Sequence, residues 1–243
     1  MVNQQKKAKG VVDLVFVMDI TGSMQPSIKD LASNVAMFID SLTHSDPNGA
    51  SPVKDWRAKV FGFRDVTDTD AVPFVDNPFV RDAAALRMQL DALVAEGGGD
   101  EPESALDALY KVATMGSSDR DAPEDPTKWR YRSTAARCAI LFTDASCHMT
   151  MSIPEAKGGS MHDLINELVN HRIILNIFAP DMPCWDELSQ APKSEYEPIP
   201  YDRSEKHAAV YALRDFTMDP KNFQQTLKTL AASVSKSAET PEL

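Results

Sequence analysis

The chain has 243 residues, of which 43% are hydrophobic, and its 36 acidic and 25 basic residues give a formal net charge of −11. This length and apolar content favour one large domain with one sizeable core. The acidic balance argues against a nucleic-acid-binding protein, which would carry a basic surface, and against binding to an anionic membrane surface.

Strand and helix signals alternate along the chain. Apolar runs rich in β-branched residues mark the strands, which are predicted at 11–18, 57–63, 136–143, 172–178 and 196–199. Apolar residues at helical spacing mark the helices, which are predicted at 27–41, 82–95, 102–115, 162–170, 185–189 and 222–235. The polar segment 117–132 contains two prolines and is predicted to be a surface loop. This alternation predicts an α/β fold with a doubly wound, mostly parallel central sheet flanked by helices.

The domain organisation follows from the same pattern. A single domain is predicted over residues 11–237, because no linker rich in glycine, serine or proline divides this span. Residues 1–10 are predicted to be a disordered N-terminal arm, and residues 238–243 to be a C-terminal tail that frays.

Cysteine usage and the N-terminus bear on the cellular compartment. Cys138, Cys147 and Cys184 follow no regular spacing, which predicts free thiols in a reducing compartment. The apolar run behind the N-terminal lysines contains Asp13 and ends at Asp19, and no cleavage site of small residues follows it. No stretch reaches the roughly 18 apolar residues of a membrane span. We therefore predict a soluble, cytoplasmic protein.

Oxygen-bearing side chains follow the first predicted strand at alternate positions. These side chains belong to Asp19, Thr21 and Ser23. Carboxylate and hydroxyl oxygens suit Mg²⁺, Mn²⁺ or Ca²⁺ rather than zinc or copper. Because open α/β sheets bind their ligands at the carboxyl ends of strands, the location and the chemistry of these residues agree. The sequence therefore predicts a site for a hard divalent cation at this edge of the sheet.

Two further loops carry acids in a similar setting. Residues 97–103 (Gly-Gly-Gly-Asp-Glu-Pro-Glu) precede a predicted helix, and residues 141–145 (Leu-Phe-Thr-Asp-Ala) end a predicted strand. Together with residues 19–24 (Asp-Ile-Thr-Gly-Ser-Met), they resemble the von Willebrand factor A (vWA) domain and its metal-ion-dependent adhesion site. The resemblance extends from about Val11 to Ser235.

Details of the motifs narrow this resemblance to one branch of the family. Residues 61–65 (Phe-Gly-Phe-Arg-Asp), the glycine-rich loop and residues 143–148 (Thr-Asp-Ala-Ser-Cys-His) are similar to hemicentin-type and alpha-kinase-associated vWA domains rather than to integrins. Intracellular members of the family usually act as adaptors, often beside an ATPase or a kinase. The resemblance therefore implies a Rossmann-like fold and a non-catalytic protein-interaction module.

The resemblance also implies a role for each site residue. Thr21 and Ser23 would supply hydroxyl ligands, and Asp19 and Asp144 would hold the ion mainly through waters or hydrogen bonds. Mg²⁺ is the implied ion, with Mn²⁺ and Ca²⁺ as alternatives. Neutral direct ligands would leave the ion under-neutralised and one coordination position open. An Asp or Glu of a partner protein would then complete the metal shell.

Asp100 departs from the pattern of integrin-like members, which carry threonine at the aligned position. A carboxylate here would bind the ion more tightly and weaken its attraction for an acidic partner. Alternatively, Asp100 caps the helix predicted to open at Pro102. Asp65 and His148 are predicted at the rim of the site, where they would contact a partner. The alternative for Asp65 is an ion pair with Arg64 or a helix cap.

Two other functions compete with the interaction module. The chain could be a structural subunit of a multiprotein assembly, with a metal site that is vestigial or only stabilising, because Asp100 would satisfy the ion internally. A phosphohydrolase of the aspartyl-phosphate type would use Asp19 and would need a second carboxylate two positions later. Thr21 occupies that position and does no acid–base work near neutral pH, so the sequence favours a protein that is not an enzyme.

Overall fold

The computed structural model describes residues 10–43, 53–67, 72–98, 101–205 and 208–239. Its strands are β1 (Val11–Asp19), β2 (Asp55–Phe63), β3 (Phe74–Asp76), β4 (Ala136–Phe142), β5 (Ile173–Pro180) and β6 (Ser194–Ile199). Its helices are α1 (Gln25–Thr43), α2 (Ala83–Asp91), α3 (Ala105–Thr114), α4 (Met161–Asn170), α5 (Pro183–Leu188), α6 (Ala208–Met218) and α7 (Pro220–Glu239). Nine of the ten residues of the predicted N-terminal arm, and the last four of the predicted tail, lie outside the described ranges.

The strands form one sheet in the order β3-β2-β1-β4-β5-β6. Every neighbouring pair is parallel except β2 and β3, which are antiparallel. In the register of the sheet, Asp19 lies opposite Phe63, and Met18 lies opposite Phe142. The carboxyl ends of β1, β2 and β4 therefore meet at the same edge. The predicted α/β fold with a mostly parallel sheet is confirmed.

The central strand β1 is buried on both faces, as its continuous apolar run predicts. Leu14 and Phe16 are fully buried and belong to the core cluster that includes α1, α2 and α7. Val15 and Val17 are also fully buried, but they belong to the cluster that includes α3, α4 and α5. Because successive strand residues point to opposite faces, the six buried apolar residues of β1 supply both cores at once.

The helix α3 begins at Ala105, so the predicted start at Pro102 is wrong. The reason lies in the backbone of Glu103, whose amide donates to the Ser146 carbonyl at 2.9 Å and whose carbonyl accepts from the His148 amide at 3.0 Å. These bonds hold the segment before α3 in an extended bridge to the loop after β4. Backbone groups used in such a bridge are withdrawn from the first turn of a helix.

Two elements lie outside the predicted set. The strand β3 has only three residues, and its apolar pattern is too short to distinguish from a loop. The helix α6 precedes α7 directly and follows residues that lie outside the described ranges. The strand β3 lies at the edge of the sheet, where tertiary contacts rather than periodicity decide the conformation.

A buried ion cluster lies toward the amino ends of the strands. The Asp13 side chain is fully buried, and its Oδ1 accepts hydrogen bonds from Arg57 Nε at 2.9 Å and from Arg130 Nε at 2.6 Å. Its Oδ2 accepts from Arg57 Nη2 at 2.8 Å and from the Arg130 backbone amide at 2.7 Å. The segment 117–132 is a loop, as predicted, but these bonds and the fully buried Trp129 anchor its end inside the protein.

No helix in the described part of the chain is both long enough and apolar enough to cross a membrane.

Candidate functional site

Backbone hydrogen bonds join the loop after β1 to β2 and to the glycine-rich segment. The Ile20 amide donates to the Phe63 carbonyl at 2.9 Å, and the Gly22 amide donates to the Gly97 carbonyl at 3.0 Å. In return, the Glu96 amide donates to the Ile20 carbonyl at 3.1 Å. Together with the bridge between Glu103 and the loop after β4, these bonds bring the predicted loops to one edge of the sheet.

Asp19 is the last residue of β1, at this edge of the sheet, and is fully buried. Its Oδ1 accepts from the Thr21 amide at 2.9 Å and from the Thr21 hydroxyl at 2.7 Å. Its Oδ2 accepts from the Thr143 hydroxyl at 2.7 Å. Burial raises the pKa of Asp19, and the hydrogen bonds from Thr143 and Thr21 oppose that rise. The carboxylate is therefore held in a fixed orientation but is costly to keep charged.

Asp144 supplies the second buried carboxylate, with 2% of its surface exposed. Burial first, and the nearby charge of Asp19 second, raise its pKa to about 7, while a hydrogen bond from the Ser23 side chain lowers it. The Ser23 and Thr21 hydroxyl oxygens are 3.4 Å apart. Two carboxylates in such an environment resist simultaneous ionisation, and a divalent cation beside them would favour both charged forms.

Four of the predicted ligands therefore come together: Asp19, Thr21, Ser23 and Asp144. Ser23 is exposed, so the group is open to solvent on one side. Within the described ranges, no three His, Cys, Asp or Glu side chains form a group that could hold a metal ion. A cation at this edge would consequently need the hydroxyl groups as well as the carboxylates. Asp100, the fifth predicted ligand, lies outside the described residues.

The glycine-rich segment packs directly on Thr21. A Cβ atom added to Gly98 would lie 2.8 Å from Thr21 Cβ and 3.3 Å from Glu103 Oε1. Gly98 also has a φ of +69°, a conformation that side-chain-bearing residues rarely adopt. The close approach therefore requires glycine at this position.

Two residues beside the site were not assigned from the sequence. Thr143 donates a hydrogen bond to Asp19. The sequence feature that could have identified it is a hydroxyl residue at the end of an apolar strand, immediately before Asp144. Glu103 is 3% exposed, and its carboxylate adjoins Gly98. Glu103 follows the glycines in the motif, but only the tertiary structure brings its side chain to the site.

The predicted rim residues Asp65 and His148 contact each other. His148 Nε2 lies 3.1 Å from Asp65 Oδ2, and Asp65 Oδ1 accepts from the Ser104 hydroxyl at 3.0 Å and the Thr67 amide at 2.8 Å. Burial tends to raise the pKa of Asp65, but the hydrogen bonds from Thr67, His148 and Ser104 lower it below its ordinary value. The pair is partly exposed and lies on the segments that follow β2 and β4.

The alternative partner of Asp65, Arg64, has a different role. Arg64 Nε donates to the Glu96 carbonyl at 3.1 Å, and its Nη2 donates to the Val94 carbonyl at 2.6 Å. Its ion pair is with the Glu96 carboxylate at 3.6 Å. Arg64 therefore fixes the segment that leads into the glycines. The helix α2 ends at Asp91 rather than at the predicted residue 95.

Comparison with known proteins found a matching family model and a distant relative. Residues 13–120 match the family model of the von Willebrand factor A domain. The chain is 27% identical over 179 residues to "Alpha-protein kinase vwkA" of Dictyostelium discoideum. That alignment covers 69% of this chain but 25% of the relative, so the chain spans about a quarter of the length of that protein.

Solved structures of lower similarity include proximal thread matrix protein 1 (PTMP1) from the mussel byssus in two crystal structures. One is 13% identical with a TM-score of 0.48, covering 89% of this chain and 49% of that chain. The other is 12% identical with a TM-score of 0.49, covering 93% of this chain and 47% of that chain.

The sheet order and the family match together are consistent with the Rossmann-like vWA fold. The match contains the loop after β1 and the glycine-rich segment, whereas Asp144 lies beyond its end. The distant kinase relative agrees with the predicted similarity to vWA domains associated with alpha-kinases. The hemicentin type and a metal-ion-dependent adhesion site stay predictions.

Proposed function

We propose that this chain is a non-catalytic interaction module that binds a divalent cation and recognises a carboxylate of a partner protein through that cation. The observation that carries the proposal is the pairing of two buried carboxylates, Asp19 and Asp144, beside the exposed hydroxyl of Ser23. Carboxylates inside a protein are costly unless a counter-charge compensates them. A cation at this edge would supply that counter-charge.

The chemistry of the donors supports Mg²⁺, with Mn²⁺ and Ca²⁺ as alternatives. All four side chains offer hard oxygen atoms, and the two hydroxyl groups of Thr21 and Ser23 are neutral. Mg²⁺ usually retains several waters, so a site that is open on one side suits it. An ion held partly by neutral oxygens keeps residual positive charge, which would attract an Asp or Glu of the partner.

The predicted rim residues, Asp65 and His148, support recognition of a partner protein rather than of a free carboxylate ion. His148 and Asp65 form a partly exposed pair on the segments after β2 and β4, and both would contact a docked partner. The distant relationship to an alpha-kinase supports an assembly in which the module works beside a kinase, and an ATPase is the other setting expected for such an adaptor.

Metal titration by calorimetry tests the proposal. The chelator-stripped protein is titrated with Mg²⁺ and with Mn²⁺, and the Ser23→Ala variant is treated in the same way. We expect one-site binding that the substitution weakens at least about tenfold, because one of few ligands is removed. Ser33→Ala, an exposed serine on α1, is the matched control and should bind as the wild type does. Absence of saturable binding in the wild type would contradict the metal site.

A specific observation favours a second function, in which the site only stabilises a structural subunit. The carboxylates of Asp19 and Asp144 already accept hydrogen bonds from Thr21, Thr143 and Ser23, so the loops hold together through internal contacts. The two functions differ in their response to an acidic peptide. A peptide containing a single Asp should bind in Mg²⁺ and not in chelator if the module recognises carboxylates. If Mg²⁺ raises the melting temperature but the peptide never binds, the structural function is favoured.

A further inference from the structure

Two of the three cysteines lie together between the loop after β4 and the helix α5. Cys147 belongs to that loop, and Cys184 belongs to α5. The Trp185 indole donates a hydrogen bond to the Ala145 carbonyl at 3.2 Å, which ties α5 to the same loop. The Cys147 and Cys184 side chains hydrogen-bond to each other and belong to one core cluster. The fold therefore brings two thiols that are distant in sequence into contact.

The two thiols differ in acidity. The hydrogen bond to Cys184, and burial after it, raise the pKa of Cys147, whereas the hydrogen bond from Cys147 lowers the pKa of Cys184 to about 7. The S–H group of Cys147 is thus the donor, and the sulfur of Cys184 is the acceptor. Roughly half of the Cys184 side chains are therefore thiolates near neutral pH, and the thiolate is the nucleophilic form of cysteine.

Access from solvent favours the same residue. Cys184 is 9% exposed and Cys147 is 4% exposed, whereas Cys138 is fully buried. Burial also raises the pKa of Cys138 to about 12, and its sulfur accepts a hydrogen bond from Asn176 Nδ2 at 3.3 Å. A small oxidant would therefore react first with Cys184, while Cys138 has the surroundings of an inert, structural thiol.

We propose that Cys147 and Cys184 form a reversible disulfide when the protein is exposed to hydrogen peroxide. In the first step, the Cys184 thiolate attacks one peroxide oxygen, so that an S–O bond forms and the O–O bond breaks. The hydroxide that leaves takes up the proton that Cys184 had released and becomes water. The product is a sulfenic acid at Cys184.

In the second step, the Cys147 sulfur attacks the sulfur of this sulfenic acid. The S–S bond forms, the S–O bond breaks, and the Cys147 proton leaves with the hydroxyl group as a second water. Overall, the two thiols lose two electrons and two protons, and one hydrogen peroxide becomes two waters. The hydrogen bond from Cys147 to Cys184 already places the two sulfur atoms in contact, so this step needs no rearrangement of the fold.

The position of the pair gives the bond a consequence for the loop after β4. Cys147 forms the backbone bridge with Glu103, and the same loop carries Asp144 and His148. The disulfide would join this loop to α5 covalently, where hydrogen bonds and packing hold it in the reduced protein. Its formation does not depend on a bound metal, since neither cysteine is among the proposed ligands.

Peptide mapping by mass spectrometry tests the proposal on the full chain. The folded, reduced protein is treated with hydrogen peroxide, the remaining thiols are blocked with N-ethylmaleimide before unfolding, and the chain is digested without reductant. We expect the three free thiols to fall to one, with a covalent link between the peptides that contain Cys147 and Cys184. Dithiothreitol should restore all three. Three free thiols after peroxide, or a disulfide that uses Cys138, would overturn the proposal.

Single variants separate the roles of the two cysteines. In Cys147→Ser the second thiol is missing, so dimedone should trap the sulfenic acid at Cys184. In Cys184→Ser, dimedone should label Cys147 at least about tenfold more slowly, because Cys147 is the less acidic thiol. Cys138→Ala is the matched control and should form the disulfide as the wild type does, and circular dichroism checks the fold of each variant. Absence of labelling in Cys147→Ser, or equal labelling in the two serine variants, would contradict the mechanism.

Discussion

Replacement of Asp13 by asparagine should destabilise the fold strongly, because this carboxylate neutralises two buried guanidinium groups. Asp13 accepts two hydrogen bonds from the Arg57 side chain, one from the Arg130 side chain and one from the Arg130 amide. Both arginine side chains are 3% exposed. In the variant, an amide nitrogen that donates hydrogen bonds would replace one oxygen and would face donors. Arg57 would also lose the carboxylate with which it forms its described ion pair.

The size of the effect follows from the burial of the whole cluster. Removing one partner of a buried ion pair typically costs about 3–5 kcal/mol, because the remaining charge stays buried without compensation. We expect a loss of this order in the free energy of unfolding. In a domain of this size, 1 kcal/mol corresponds to about 2–4 °C in melting temperature, so the shift should be roughly 6–20 °C.

Urea unfolding followed by circular dichroism measures the loss, with the m-value as a check that the unfolded state is unchanged. Asp55→Asn is the matched control, because Asp55 also pairs with Arg130 but is 38% exposed. An ion pair with an exposed partner contributes about 1 kcal/mol or less. A loss below about 1 kcal/mol for Asp13→Asn, or equal losses in the two variants, would refute the reasoning.

Three further predictions concern the site and its surroundings. Gly98→Ala should lower the melting temperature in calorimetry and weaken Mg²⁺ binding, because the new Cβ would lie 2.8 Å from Thr21 Cβ; a wild-type melt would contradict the close approach. Ser160→Ala should cost about 0.5–2 kcal/mol in urea unfolding, since it removes the capping box that Ser160 forms with Asp163 at the start of α4, and unchanged stability would speak against that cap. The pKa of Asp65 is lowered in the folded state, so its stabilisation is present above the unfolded value of about 3.9 and is lost as pH falls through the folded value. Asp65→Asn should therefore be less stable than the wild type near neutral pH. A stability difference that persists at about pH 2 would be inconsistent with this linkage.

The sequence by itself determined the features that depend on neighbouring residues. The apolar run of β1 predicts burial on both faces, and all of Leu14 to Val17 are fully buried. Asp19, Thr21 and Ser23 lie within five positions of one another, so a tight loop after a strand brings their oxygens together, with Thr21 donating to Asp19 at 2.7 Å. Periodicity and loop chemistry act over a few residues, and for that reason they can be read from the chain without its fold.

The tertiary structure decided every feature that depends on distant segments. Thr143 holds Asp19 across 124 positions, and the Arg130 amide reaches Asp13 across 117. The bridge between Glu103 and the loop after β4 makes α3 begin at Ala105 instead of at Pro102. The residues around Glu103 do not predict this bridge. The contact between Cys147 and Cys184 likewise exists only because α5 packs against the loop after β4. Such contacts depend on how whole elements pack, and packing couples residues whose separation in sequence carries no information about their separation in space.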